Sequence, residues 1–148
     1  MSLDERAVLW YNTIVSEYPK GGIGMKIRQS AEDYLETILR LREEKGYARS
    51  IDIATALGIT KPSVSVAMKR LRENGYINMD ENNYITLTEQ GNAIAIRIYH
   101  RHKTLTQFLM NLGVNKETAQ EDACRVEHVI SEESFKAILD SMESGQGS

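Results

Sequence analysis

Three side chains in the C-terminal part of the chain have the chemistry and the spacing of a transition-metal site. Cys124, Glu127 and His128 stand at offsets of three and four residues, which places them on one face if the segment is helical. Thiolate, carboxylate and imidazole groups all bind divalent transition metals. The spacing therefore predicts a metal-binding face on a helix expected over residues 115–129.

Three further candidate ligands lie earlier in the sequence. Asp33 and Glu36 are three residues apart on one predicted helix, and His102 falls on another. Together the candidates amount to six ligands from three helices. Each residue also has an interpretation that involves no metal. An acid such as Asp33 can stabilise the start of a helix, and a single Glu or His is commonly a solvated surface residue. A cysteine can be a small buried apolar side chain. The residues alone leave both interpretations open.

Apolar spacing and chain-breaking residues predict the elements that carry these side chains. We expect two short strands at 76–79 and 84–87, joined by the turn-like Asp80-Glu81-Asn82-Asn83. Ser30, Thr88 and Ser131 are each expected to be the N-cap of a helix. Helical periodicity predicts helices at 3–18, 30–45, 50–57, from about Thr60 to Asn74, 88–112, 115–129 and 131–142.

Three helices followed by a hairpin have the order of a winged helix-turn-helix. The helix after Thr60 is then the recognition helix, which lies in the major groove of DNA. Its polar side chains suit base edges and phosphates, and the predicted DNA-binding residues are Lys61, Pro62, Ser63, Ser65, Lys69, Arg70 and Arg72. The same fold also mediates protein–protein contacts, so the pattern alone leaves that alternative open.

The charge is unevenly distributed along the 148 residues, whose net charge is −3. Residues 26–75 carry ten Lys/Arg and seven Asp/Glu (+3), whereas residues 113–148 carry three and eight (−5). A locally basic region can bind DNA although the whole chain is acidic. The chain has no secretory signal or membrane-spanning run, and its single cysteine fits a reducing compartment. We therefore predict a cytoplasmic protein that does not bind membranes.

Three stretches resemble the diphtheria-toxin-repressor and manganese-transport-regulator family of metal-dependent repressors. They are SAEDYLETI at 30–38, RHK at 101–103 and DACRVEHVIS at 122–131, and the resemblance covers about residues 28–142. It implies a mainly α fold, with a winged helix-turn-helix DNA-binding domain followed by a helical dimerisation domain. It also implies a homodimer that binds a palindromic operator in double-stranded DNA once Mn(II) or Fe(II) is bound.

The resemblance also assigns the metal ligands and divides the chain. The implied ligands are Asp33, Glu36, His102, Cys124, Glu127 and His128. At position 124 the cysteine resembles the iron-type repressors, whereas at position 33 the aspartate resembles the manganese type. The resemblance therefore leaves the metal open between Mn(II) and Fe(II). We expect an amphipathic helix and linker at 1–25, the winged helix-turn-helix domain at 26–87, and the metal-binding and dimerisation domain at 88–148.

The predicted function is that of a metal-dependent transcriptional regulator, a repressor of metal-uptake genes. The first alternative is a winged-helix regulator that is not controlled by metal and retains a vestigial metal site. A metal-dependent enzyme is not expected, because the sequence offers no separate acid–base constellation and no glycine-rich phosphate loop after a strand. A purely structural helical dimer is a further alternative.

Overall fold

The computed structural model describes residues 29–145. The predicted helix at 3–18 and the linker after it lie outside the described residues. The elements in chain order are α1 (Gln29–Lys45), α2 (Ser50–Leu57), α3 (Lys61–Glu73), β1 (Ile77–Met79), β2 (Ile85–Leu87), α4 (Glu89–Asn111), α5 (Lys116–Val126) and α6 (Glu132–Gly145). The chain divides into two compact units between Arg97 and Ile98, within α4. None of the helices in the described part could cross a bilayer.

The first unit is built on an apolar core shared by its helices and its hairpin. α1 and α2 contribute buried aliphatic side chains such as Leu35 and Ile53. α3 presents a buried stripe at helical spacing, formed by Val64, Met68 and Leu71. Because these residues belong to one contiguous core, α1 and α3, the predicted recognition helix, are held in a fixed relation.

The wing is a two-stranded antiparallel hairpin, as the sequence predicts. Ile77 pairs with Leu87 and Met79 pairs with Ile85. The Asp80 carboxylate accepts hydrogen bonds from the backbone N–H groups of Asn82 and Tyr84, at 2.8 and 3.0 Å. This Asx-type turn is the reason why a polar run closes the hairpin.

α4 begins at a closely packed junction with the wing. The Thr88 hydroxyl donates to the Gly75 carbonyl at 2.7 Å and accepts from the Gly91 N–H at 3.1 Å, so Thr88 acts as the predicted cap. A Cβ atom at Gly91 would overlap the carbonyl oxygen of Tyr76. Only glycine therefore lets the helix approach the chain before β1 this closely.

The second unit packs the later part of α4 with α5 and α6. Its buried apolar side chains are Ile98, Leu105, Ala119, Ala123 and Phe135. Asn115 caps α5 by accepting from the Thr118 N–H at 2.9 Å, and Ser131 caps α6 by accepting from the Ser134 N–H at 3.1 Å. The N-cap at Ser131 was predicted from the sequence.

Two local predictions are wrong. Ser30 does not precede its helix, because α1 already includes Gln29. The helix predicted at 115–129 stops at Val126, where Glu127 is its C-cap and residues 127–129 form a turn. Cys124 therefore lies on α5, whereas Glu127 and His128 lie at and beyond its end rather than on the face of a continuing helix.

Candidate metal centre and DNA-binding surface

The second unit brings three of the predicted ligands into one cluster. His102 on α4 has its Nδ1 2.8 Å from Oε2 of Glu127. The Sγ of Cys124 lies 3.7 Å from the same Nδ1. One ligand atom from each of the three residues lies within 4.8 Å of the others. The turn at the end of α5 thus carries Glu127 to His102, although 25 residues separate them in the chain.

The size and the chemistry of this cluster fit a metal ion. Zn(II) binds nitrogen, oxygen and sulfur ligands at about 2.0–2.3 Å, so ligand atoms on opposite sides of one ion are up to roughly 4.6 Å apart. The 4.8 Å limit that encloses the three ligand atoms of the cluster is close to this value. The imidazole, carboxylate and thiol of the cluster are all donors for divalent transition metals. His102 and Glu127 are buried, whereas Cys124 is exposed. The cluster is therefore open to solvent on the Cys124 side.

His128 lies next to this cluster, against the other carboxylate oxygen of Glu127. Its Nε2 is 3.4 Å from Oε1 of Glu127. The Glu127 side chain is fully buried and has one oxygen directed to each of two imidazoles. Removing a carboxylate from water is costly unless positive charge or hydrogen-bond donors face it. Glu127 is therefore the central acid of the candidate site.

The other two predicted ligands, Asp33 and Glu36, lie on α1 in the first unit, one helical turn apart. The Glu36 side chain is buried, and its Oε1 lies 3.8 Å from a guanidinium nitrogen of Arg40. The backbone carbonyl of Asp33 accepts a hydrogen bond from the Thr37 hydroxyl at 2.7 Å. A place for both carboxylates in the metal site stays a prediction.

Arg101 is a buried residue at this site whose importance the sequence does not reveal. Its guanidinium donates to the carbonyl oxygens of Glu127 and Ile130, at 3.1 and 2.8 Å. It also forms an ion pair with the Glu132 carboxylate. In the sequence, Arg101 belongs to a basic run that is typical of a solvated surface and to the RHK stretch that carries the resemblance, but neither assigns it a role at the site.

The recognition helix α3 presents all of its predicted DNA-binding side chains to solvent. The exposed residues include Lys61, Pro62, Ser63, Ser65, Lys69, Arg70 and Arg72. No described residue forms an ion pair with the four cations of this group. Thr60 caps the helix by accepting from the Ser63 N–H, and its hydroxyl donates to the Ser63 hydroxyl at 2.8 Å. The backbone N–H and the hydroxyl of Ser63 are therefore both engaged with Thr60 at the N-cap.

Val66 adds an apolar group to this otherwise polar surface. Its side chain is 55% exposed and lies one residue from Ser65. The sequence alone does not single out Val66, because a valine on a helix usually belongs to the core. An exposed methyl-bearing side chain on a recognition helix can contact the methyl group of thymine.

Comparison with known protein families finds two matching models. The N-terminal DNA-binding domain of iron-dependent repressors matches residues 26–83. The metal-binding and dimerisation domain of iron-dependent repressors matches residues 88–146. The metal cluster therefore falls within the second match, and the recognition helix falls within the first.

Individual relatives agree with these matches. The transcriptional regulator MntR of Salmonella typhimurium is 38% identical over 112 residues, covering 76% of this chain and 71% of the relative. The HTH-type transcriptional regulator MntR of Bacillus subtilis is 40% identical over 111 residues, covering 75% and 78%. A solved manganese-dependent transcriptional repressor in complex with manganese is 26% identical, with a TM-score of 0.71. The match covers 76% of this chain and about half (52%) of that longer one.

Proposed function

The chain belongs to the iron-dependent repressor family, and we propose that it is a transcriptional repressor that binds its operator when Mn(II) or Fe(II) is bound. Membership rests on the two matching family models and on relatives that are about 40% identical. It confirms the resemblance and the fold class predicted from the sequence. The relatives are transcriptional regulators, which sets the enzyme alternative aside.

The observation that carries the proposal is the cluster of His102, Cys124 and Glu127. Three donors of the right types lie within 4.8 Å of each other, which is close to the spacing of ligand atoms around one ion. The cluster falls within the match to a metal-binding domain. A nitrogen, a sulfur and an oxygen ligand kept together support a working metal site over a vestigial one.

We propose that all six predicted ligands take part in metal binding, with Asp33 and Glu36 added to His102, Cys124, Glu127 and His128. When bound, a divalent cation offsets the charge of the carboxylates and the thiolate. The contribution of the protein is mechanical. α1 shares its core with α3, so a constraint on Asp33 and Glu36 also fixes the recognition helix.

The expected partner is a palindromic operator in double-stranded DNA, bound by a homodimer. A symmetric dimer presents two recognition helices, which reach half-sites about one helical turn apart, roughly 34 Å. Lys69, Arg70 and Arg72 are proposed to contact phosphates. Ser65 and Val66 are proposed to face the bases.

The reducing cytoplasm is the proposed location, because DNA is present there and Cys124 remains a thiol. Repression of metal-uptake genes is the proposed physiological role, since a repressor activated by metal would reduce the expression of these genes when the metal is abundant. The donor set does not distinguish Mn(II) from Fe(II): sulfur suits softer ions, whereas three carboxylates suit Mn(II) and Fe(II).

The test begins with a randomised double-stranded DNA library, selected separately with Mn(II), with anaerobic Fe(II) and with a chelator. We expect enrichment of a palindrome in the two metal-containing selections and none with the chelator. Enrichment of the same palindrome in all three selections would favour the alternative of a winged-helix regulator that metal does not control.

A further inference from the structure

Arg101 is a buried cation that binds the turn on which two candidate metal ligands lie. Its side chain is 3% exposed, and its guanidinium lies 5.4 Å from the ring centre of Phe135. Its Nη1 donates to two backbone carbonyls, those of Glu127 and Ile130. Its Nη2 forms an ion pair with Glu132. One side chain thus connects α4 to the end of α5 and the start of α6.

The two carbonyls lie on either side of the turn that contains His128 and Val129. The last carbonyls of a helix have no partners within that helix. Arg101 binds the Glu127 carbonyl at this end of α5 and, three residues later, the Ile130 carbonyl. The backbone from 127 to 130 is therefore held at both ends by a single guanidinium.

Glu127 is held twice, by two consecutive residues of α4. Arg101 binds its backbone carbonyl at 3.1 Å. His102 lies against its carboxylate, with Nδ1 2.8 Å from Oε2. The direction of the carboxylate depends on the backbone that carries it, so the contact made by Arg101 controls where the Glu127 oxygens point.

We propose that Arg101 is a positioning residue of the metal site, which fixes Glu127 and His128 in their places as ligands. This inference rests on the proposed function, because it assumes that these residues bind the metal. Arginine suits the task, since its planar guanidinium presents several donors in a fixed arrangement, whereas the lysine ammonium is a compact charge on a flexible chain. Partners that orient metal ligands typically contribute 10–100-fold to metal affinity.

The test compares R101M, R101K and R125M in the full chain. Arg125 is next to Cys124, but its side chain is 79% exposed and lies 4.0 Å from Asp122, so R125M is the matched control. Mn(II) affinity is measured by electron paramagnetic resonance, and Co(II) is used as a spectroscopic probe of its bond to the Cys124 thiolate. Thermal unfolding and circular dichroism of the metal-free variants record the state of the fold.

We expect Mn(II) to bind R101M 10–100-fold more weakly than wild type, with a changed Co(II)–thiolate absorption band, while R125M matches wild type in both. R101K is expected to fold and to bind Mn(II) at least about tenfold more weakly than wild type. The compact lysine ammonium keeps the charge but does not present the fixed set of donors that binds two carbonyls and a carboxylate. If R101M does not fold, R101K decides the question.

A folded R101M or R101K with wild-type Mn(II) affinity and a wild-type Co(II) spectrum would overturn the role of Arg101 and leave the proposed function intact. A wild-type chain that binds neither Mn(II) nor Co(II) would overturn the proposed function, and the metal role of Arg101 with it. The two failures are therefore distinguishable.

Discussion

Replacing Glu127 by glutamine should separate metal binding from folding. The side chain is fully buried between His102 and His128, at 2.8 and 3.4 Å. Glutamine has nearly the same shape and still offers an oxygen to one imidazole, but it lacks the negative charge. Because a buried charge costs several kcal/mol in desolvation, the neutral amide should leave the metal-free fold as stable as wild type or more so.

The loss in metal affinity can be placed against a known scale. Residues that only orient a metal ligand contribute about 10–100-fold to metal affinity. Replacing a central ligand should therefore weaken Mn(II) binding by more than about 100-fold. At 1.36 kcal/mol for each factor of ten, this loss is roughly 2.7 kcal/mol. Titration calorimetry with Mn(II) measures the loss, and urea unfolding of the metal-free protein measures stability. The matched control is Glu121→Gln, an exposed acid on α5.

Two results would refute this reasoning. A Glu127→Gln protein that binds Mn(II) within about threefold of wild type would show that Glu127 is not a ligand. A metal-free variant destabilised by several kcal/mol would show that the carboxylate mainly supports the fold, as the partner of charged imidazoles.

Three further predictions concern the rest of the molecule. Lys69→Ala should weaken binding to all DNA sequences alike. It should also reduce the slope of log binding constant against log salt concentration by about one unit, measured by fluorescence anisotropy. A changed sequence preference with an unchanged slope would contradict the proposal that Lys69 contacts a phosphate. Gly91→Ala should lower the free energy of unfolding by about 1–3 kcal/mol, because the added Cβ would overlap the Tyr76 carbonyl. The control is Glu89→Ala, at an exposed position of the same helix. Equal urea midpoints for Gly91→Ala and wild type would refute the steric argument. Light scattering should give a dimer at micromolar concentration, and a monomer both with and without metal would refute the assignment of the dimerisation domain.

The sequence predicted the elements of the first unit because their causes are local. The buried stripe of α3 repeats at helical spacing, and the polar run after Met79 closes the hairpin through the Asp80 carboxylate. Both patterns are visible within a few residues. The order of these elements was then enough to predict the winged helix-turn-helix.

The end of α5 and the centre of the metal site depend on contacts that spacing cannot reveal. Val129 and Ile130 continue the apolar pattern, so periodicity extends the helix to 129. In the structure the chain turns after Val126, and Arg101 binds the carbonyls of that turn from α4. The pairing of His102 with Glu127 likewise joins residues far apart in sequence. The residue types suggested a common ligand set and left it open, and the family resemblance assigned both residues to that set.

Operator affinity with and without metal tests the central claim most directly. The palindrome obtained by selection with Mn(II) would be labelled, and its dissociation constant would be measured at fixed ionic strength, first with saturating free Mn(II) and then with a chelator. Allosteric coupling energies are typically about 1–3 kcal/mol, so we expect Mn(II) to tighten operator binding by about 5–150-fold. Equal dissociation constants in the two conditions, for a chain shown by calorimetry to bind Mn(II), would contradict metal control of this repressor.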